Sequence, residues 1–142
     1  MIIGVGHDLV EIERVRKLLA QGTGDRFLQR ILTRAEYGRA QLKGGKLAEF
    51  TAGRFAAKEA VVKALGCGIG AAVGFADIEL LPDGAGKPCC TLSPGSLERL
   101  GMRLGMSGEK LTVHVSITHE RSIASAFAVA VMEAEAGKPN FK

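Results

Sequence analysis

Residues 53–66, GRFAAKEAVVKALG, constrain the fold more than any other stretch of this 142-residue chain. Ala56, Ala57, Ala60 and Ala64 leave so little side chain on a helical run that a neighbouring backbone or a long ligand can come close. Gly66 then ends the run and opens a glycine loop. A helix buried on all sides seldom carries Arg54, Lys58, Glu59 and Lys63. At ~100° per residue, Phe55, Glu59 and Lys63 share one side, whereas Arg54 and Lys58 point well away from it. One helix is therefore expected to serve two surfaces.

Glu59 and Lys63 stand at i and i+4, and as a solvated pair they would contribute only ~0.3–0.5 kcal/mol. A second acid changes the reading. Asp8 lies in the apolar run 1–10, MIIGVGHDLV, beside Gly4 and Gly6, where a carboxylate needs a cation or donors to offset its desolvation. Asp8 with Glu59 suits a hard divalent ion. Mg²⁺ is typically held by one or two carboxylates, several waters and substrate phosphates, so the surrounding Lys and Arg residues suggest a phosphate-bearing ligand.

The length fits one domain, 1–142, and 46% hydrophobic with 24% charged residues is a globular composition. No apolar run is long enough to span a membrane, and the start lacks the basic region of a secretion signal, so a cytoplasmic protein is expected. Cys67, Cys89 and Cys90 give neither a disulfide framework nor metal-ligand spacing, and are expected as small buried or loop residues. A formal net charge of +4 favours an anionic partner without naming it.

Residues 2–10 read as a strand and 11–19 as a helix that Gly22 and Gly24 stop. Asp25 is expected to cap a short helix through Leu32, and Thr33 with Glu36 a capping-box helix through Leu42. The long helix begins near Lys46, and the glycines at 66, 68, 70 and 74 form a flexible loop. Residues 77–81 and 87–92 form a hairpin about Asp83-Gly84, a helix runs from Ser93 or Ser96 to about Leu104, and 111–118 pairs with 124–132. The polar tail 133–142 is expected to be loose. This order gives an α+β fold, an antiparallel sheet packed on the long helix and shorter ones.

Three segments together resemble the holo-acyl-carrier-protein synthase family, the small bacterial 4′-phosphopantetheinyl transferases. They are GVGHDLVEI (4–12), the run from GRFAAKEA through GCGIG (53–70), and VSITH (115–119), with similarity in order and spacing from about residue 2 to residue 131. The resemblance implies that fold, and transfer of the phosphopantetheine arm of coenzyme A to a serine of an apo acyl carrier protein with release of 3′,5′-ADP. It also implies Mg²⁺ held by Asp8 and Glu59, with Lys63 neutralising the phosphates. The serine proton would go to Glu59 directly or to a water on the metal held by Asp8.

Arg54 and His119 resemble positions that approach the 3′-phosphate of coenzyme A, with Ser116 near the same group. Gly66 and Gly68 fall in the loop beside the phosphates, where Ala71 and Ala72 replace the polar or basic residue often found there, leaving only backbone contacts. Arg14 resembles a carrier-protein contact, and Arg26 joins it by position and charge. If Arg54 and Glu59 look in different directions, both reach one coenzyme A only when two copies build each site, which agrees with the homotrimer the resemblance implies. His7 points to the opposite strand face from Asp8 and is a weak candidate. A binding module for RNA or an acidic protein would explain the charge but not Asp8 and Glu59, and the chain lacks Trp and has one Tyr for stacking. A Mg²⁺-dependent nucleotide hydrolase would lack a P-loop. Neither nucleic acid nor a membrane is therefore expected as a partner.

Overall fold

The β-branched start of the chain forms β1 (Ile2–Glu11), which passes directly into α1 (Ile12–Ala20). The computed structural model describes residues 1–135. Two short helices follow, α2 (Gly24–Ile31) and α3 (Arg34–Ala40), then the long α4 (Leu47–Leu65). The hairpin β2 (Ile78–Pro82) and β3 (Pro88–Leu92), α5 (Pro94–Leu104), and the hairpin β4 (Glu109–His119) and β5 (Ile123–Ala134) complete the order.

The five strands form one antiparallel sheet in the order β1-β5-β4-β3-β2, so the first strand closes beside the last. The α+β expectation holds. Helix α4 lies across one face, packing its alanines against Ala126, Ala128 and Ala130 of β5 and Val113 and Val115 of β4. Small residues on both sides bring backbones together. Ile78, Leu80, Leu100 and Val61, all fully buried, supply the larger apolar area, each side chain contributing ~1.5–3 kcal/mol.

Several local expectations need correction. Asp25 does not cap α2: Thr23 takes the N-cap position without a side-chain bond, and Asp25 sits in the first turn, accepting from Tyr37 Oη and Gln29. Gly24 opens that helix rather than stopping the previous one. The capping box of Thr33 and Glu36 forms as expected, but α3 ends at Ala40, and Asp77 belongs to a 3-10 turn before β2. Glu133 and Ala134 extend β5, and the rest of the expected tail from 136 to 142 lies outside the described residues. Cys89 is exposed on β3, whereas burial pushes the Cys90 thiol up to about 12. No helix among the described residues is long and apolar enough to cross a membrane.

Candidate active site

Strand β1 runs over α4 with almost no space between the two backbones. A Cβ added to Gly4 would lie 1.8 Å from the Ala64 carbonyl oxygen, and one added to Gly6 would lie 1.8 Å from that of Ala60. Strand alternation puts Asp8 on the same face as these glycines, so the close approach delivers its carboxylate to the charged side of α4. Lys63 Nζ donates to Asp8 Oδ1 at 3.0 Å and to the His7 carbonyl at 3.1 Å. Burial and then the charge of Asp8 push Glu59 above the usual carboxylate range, with Lys63 pulling it back. Asp8, Glu59 and Lys63 therefore converge. His7 points outward, bonded through Nε2 to Ser125 Oγ at 2.9 Å and packed near Phe127.

Two acids that share one lysine fit a hard cation. Among the described residues no group of three or more His, Cys, Asp or Glu side chains gathers to hold a metal, so waters and ligand oxygens would complete a shell around Asp8 and Glu59. Both acids line a cavity of about 520 Å³ together with Arg14, Leu18, Phe27 and Phe55.

A second groove, of about 390 Å³, opens elsewhere on α4, where Arg54 meets Arg39, Lys43, Lys46 and His119. Arg54 Nε donates to the Leu80 carbonyl at 3.2 Å, and its guanidinium stacks 4.6 Å from the Phe50 ring centre. Burial lowers its pKa, Glu36 raises it and Arg39 lowers it. The helical wheel thus separates Arg54 from Glu59 as expected, and His119 joins Arg54. Motif and helical spacing do not single out Arg39, Lys43 and Lys46, although the basic run 39–46, RAQLKGGK, carries the signal.

The remaining expected residues lie apart from both cavities. Ser116 is exposed on the opposite sheet face from Ile117, across from Phe127. Arg26 is exposed on α2. Gly66 caps α4 with φ 72° and Gly68 has φ 69°, a left-handed geometry that a side chain would strain. The loop they begin is clamped rather than free: Arg103 Nη2 donates to Gly66 O at 3.1 Å, Arg99 Nε to Ala72 O at 2.9 Å, and Gly74 N to Asp77 Oδ2 at 2.8 Å.

Lys58 corrects the expectation that charge on α4 marks a surface. It is fully buried, donating to Glu36 Oε1 at 2.6 Å, Ile31 O at 2.7 Å and Phe75 O at 3.0 Å. All three ammonium donors are satisfied.

Antiparallel sheet, long alanine helix, paired acids and basic groove together form a site whose charges suit a phosphate-bearing ligand. Residues 4–130 match the 4′-phosphopantetheinyl transferase superfamily, and the chain belongs to it. It is 47% identical to a holo-[acyl-carrier-protein] synthase of Shewanella amazonensis, over 90% of this chain and 97% of that one. Its structure is similar to that of a holo-(acyl-carrier-protein) synthase from Bacillus anthracis in complex with CoA (3′,5′-ADP), with TM-score 0.73, 42% identity, and 95% and 99% of the two chains covered. The synthase from Neisseria meningitidis gives TM-score 0.79 at 37% identity, covering 92% and 99%.

Proposed function

We propose that this chain transfers the 4′-phosphopantetheine arm of coenzyme A to a serine of an apo acyl carrier protein, releasing 3′,5′-ADP. The observation that carries this reading is the convergence of Asp8, Glu59 and Lys63 where β1 crosses α4. The serine oxygen forms a bond to the pantetheine-side phosphorus while the anhydride bond to the departing 3′,5′-ADP breaks. Such chemistry asks a protein mainly for positioning and electrostatic stabilisation. Lys63 bears on the phosphate oxygens, and Glu59, whose raised pKa favours taking a proton, or a water held by Asp8 receives the serine proton. Asp8 and Glu59 would hold Mg²⁺, which when bound neutralises charge on the diphosphate.

Arg54 and His119 serve the 3′-phosphate, with Arg39, Lys43 and Lys46 lining the same groove. Gly66 and Gly68 approach the phosphates through backbone only. Arg14, which lines the cavity of the acids, and Arg26 meet the acidic carrier protein. Because the Arg54 groove and the Glu59 cavity open on different parts of one helix, one coenzyme A is shared between copies in a homotrimer. The outer sheet face, with Val5, Leu9 and Phe127 exposed and Ser116 beside them, is the surface a second copy would cover. The setting is cytoplasmic.

Intact-mass spectrometry of an apo acyl carrier protein incubated with the chain, coenzyme A and Mg²⁺ tests this. A gain of one phosphopantetheine arm, lost with EDTA and in Glu59→Gln, is expected. No gain across several apo carriers with folded protein would leave a binding module for an acidic partner or RNA as the better reading.

A further inference from the structure

We propose that Glu36, locked by Lys58, is a positioning residue that sets the Arg54 guanidinium for its anion through the backbone of Leu80. This rests on the transferase reading and on Arg54 meeting the 3′-phosphate of the donor. Glu36 is fully buried and spends its carboxylate on three elements. Oε1 accepts from Lys58 Nζ and from Thr33 N at 2.8 Å, and Oε2 accepts from Leu80 N at 3.0 Å. The same Leu80 residue offers its carbonyl to Arg54 Nε at 3.2 Å. One residue of β2 thus connects the buried acid to the groove.

Held at Nε and stacked on Phe50, Arg54 keeps Nη1 and Nη2 without a protein acceptor among the described residues. These are the two donors a phosphate takes from an arginine fork. Lys58 fixes Glu36 from the other side and reaches no cavity itself. The tether crosses from α3 to α4 by way of β2, so the acid orients a cation that it does not touch.

The discriminating probe is dephospho-coenzyme A, which carries the same reactive anhydride and lacks the 3′-phosphate. Steady-state transfer to apo carrier protein is measured with both donors for the unmodified chain, Arg54→Ala, Glu36→Gln and the doubly neutral Glu36→Gln/Lys58→Met, chosen because a buried ion pair replaced as a unit is often tolerated. Unmodified protein should prefer coenzyme A. Glu36→Gln, or the double variant should the single one unfold, should raise KM for coenzyme A about tenfold with kcat little changed and KM for dephospho-coenzyme A unmoved. Adding Glu36→Gln to Arg54→Ala should change the preference no further.

Equal losses with both donors, or an unchanged preference, would overturn the relay and leave Glu36 a purely structural acid. Equal KM for the two donors in the unmodified chain would leave the transferase and remove the anion role on which the relay depends. No transfer from either donor would remove both readings.

Discussion

Lys58 and Glu59 are neighbours in the chain and opposites in environment. Lys58 points into the core, where each ammonium hydrogen meets an oxygen and the counter-charge of Glu36 is fully buried with it. Glu59 lines a cavity, where Asp8 repels it and Lys63 is half exposed. Satisfied burial confines the first pair to holding other groups in place. The second is left with surplus negative charge facing solvent, and that is what a cation and a phosphate ester can use.

Replacing Glu59 should separate the two most sharply. Glu59→Gln is expected to lower the transfer rate roughly 10²–10⁴-fold, read by intact mass, while leaving coenzyme A binding and thermal stability in place. Retained turnover would remove Glu59 from both the metal and proton-accepting roles. Lys58→Ala should do the reverse in kind: it strands a buried carboxylate and costs about 3–5 kcal/mol in urea unfolding. Lys63→Ala, by contrast, breaks an ion pair exposed at one end, and its unfolding free energy should move by no more than ~1 kcal/mol although transfer is lost. A Lys58 variant as stable as the Lys63 variant would erase the distinction.

A fourth change tests how the open site is brought together. Gly6→Ala would put a methyl carbon 1.8 Å from the Ala60 carbonyl oxygen, a backbone atom that no rotamer can move aside. Strand β1 must lift from α4, at a cost of about 1–3 kcal/mol, and Asp8 moves with it. Stability and activity should therefore fall together, unlike in Glu59→Gln. Activity retained at wild-type level would mean that the strand's approach does not place Asp8.

Much of this was legible in the sequence because the determinants are local. Ala60 and Ala64 on the helix announce that something comes close, and the wheel alone separates Arg54 from Glu59; that Gly4 and Gly6 of β1 are what comes close is seen only in the structure. Thr33 and Glu36 give a capping box that forms. The same local success hid the long-range partner: the cap accounts for Glu36, so nothing in its neighbourhood points to a lysine 22 residues away. The wheel likewise turns the charge of Lys58 toward a second surface, where the structure has a core. The basic groove gathers residues from α3, α4, the turn between them and β4, and no single periodicity encodes that meeting. Asp25 fails as a cap because α2 already begins at Gly24, and from the first turn its carboxylate accepts from Tyr37, 12 residues away.

The smallest expected effect concerns a carboxylate perturbed in the opposite direction to Glu59. Burial pushes Asp77 up, but the Ser93 hydroxyl at 2.6 Å, the Gly74 N–H and the Arg99 guanidinium outweigh it and hold the group below the ordinary carboxylate range. A depressed folded pKa contributes stability that is present above the unfolded value of about 3.9 and is lost as pH falls through the folded one. Asp77→Asn should therefore lower the melting temperature modestly at neutral pH, and the gap from wild type should narrow only under acid conditions below pH ~4. Its effect on transfer should be small, because Asp77 clamps the end of the glycine loop at Gly74 rather than the acids at α4. A gap that stayed constant through acid would mean that the donors around Asp77 do not stabilise its charge, and the loop would then owe its order to Arg99 and Arg103 alone.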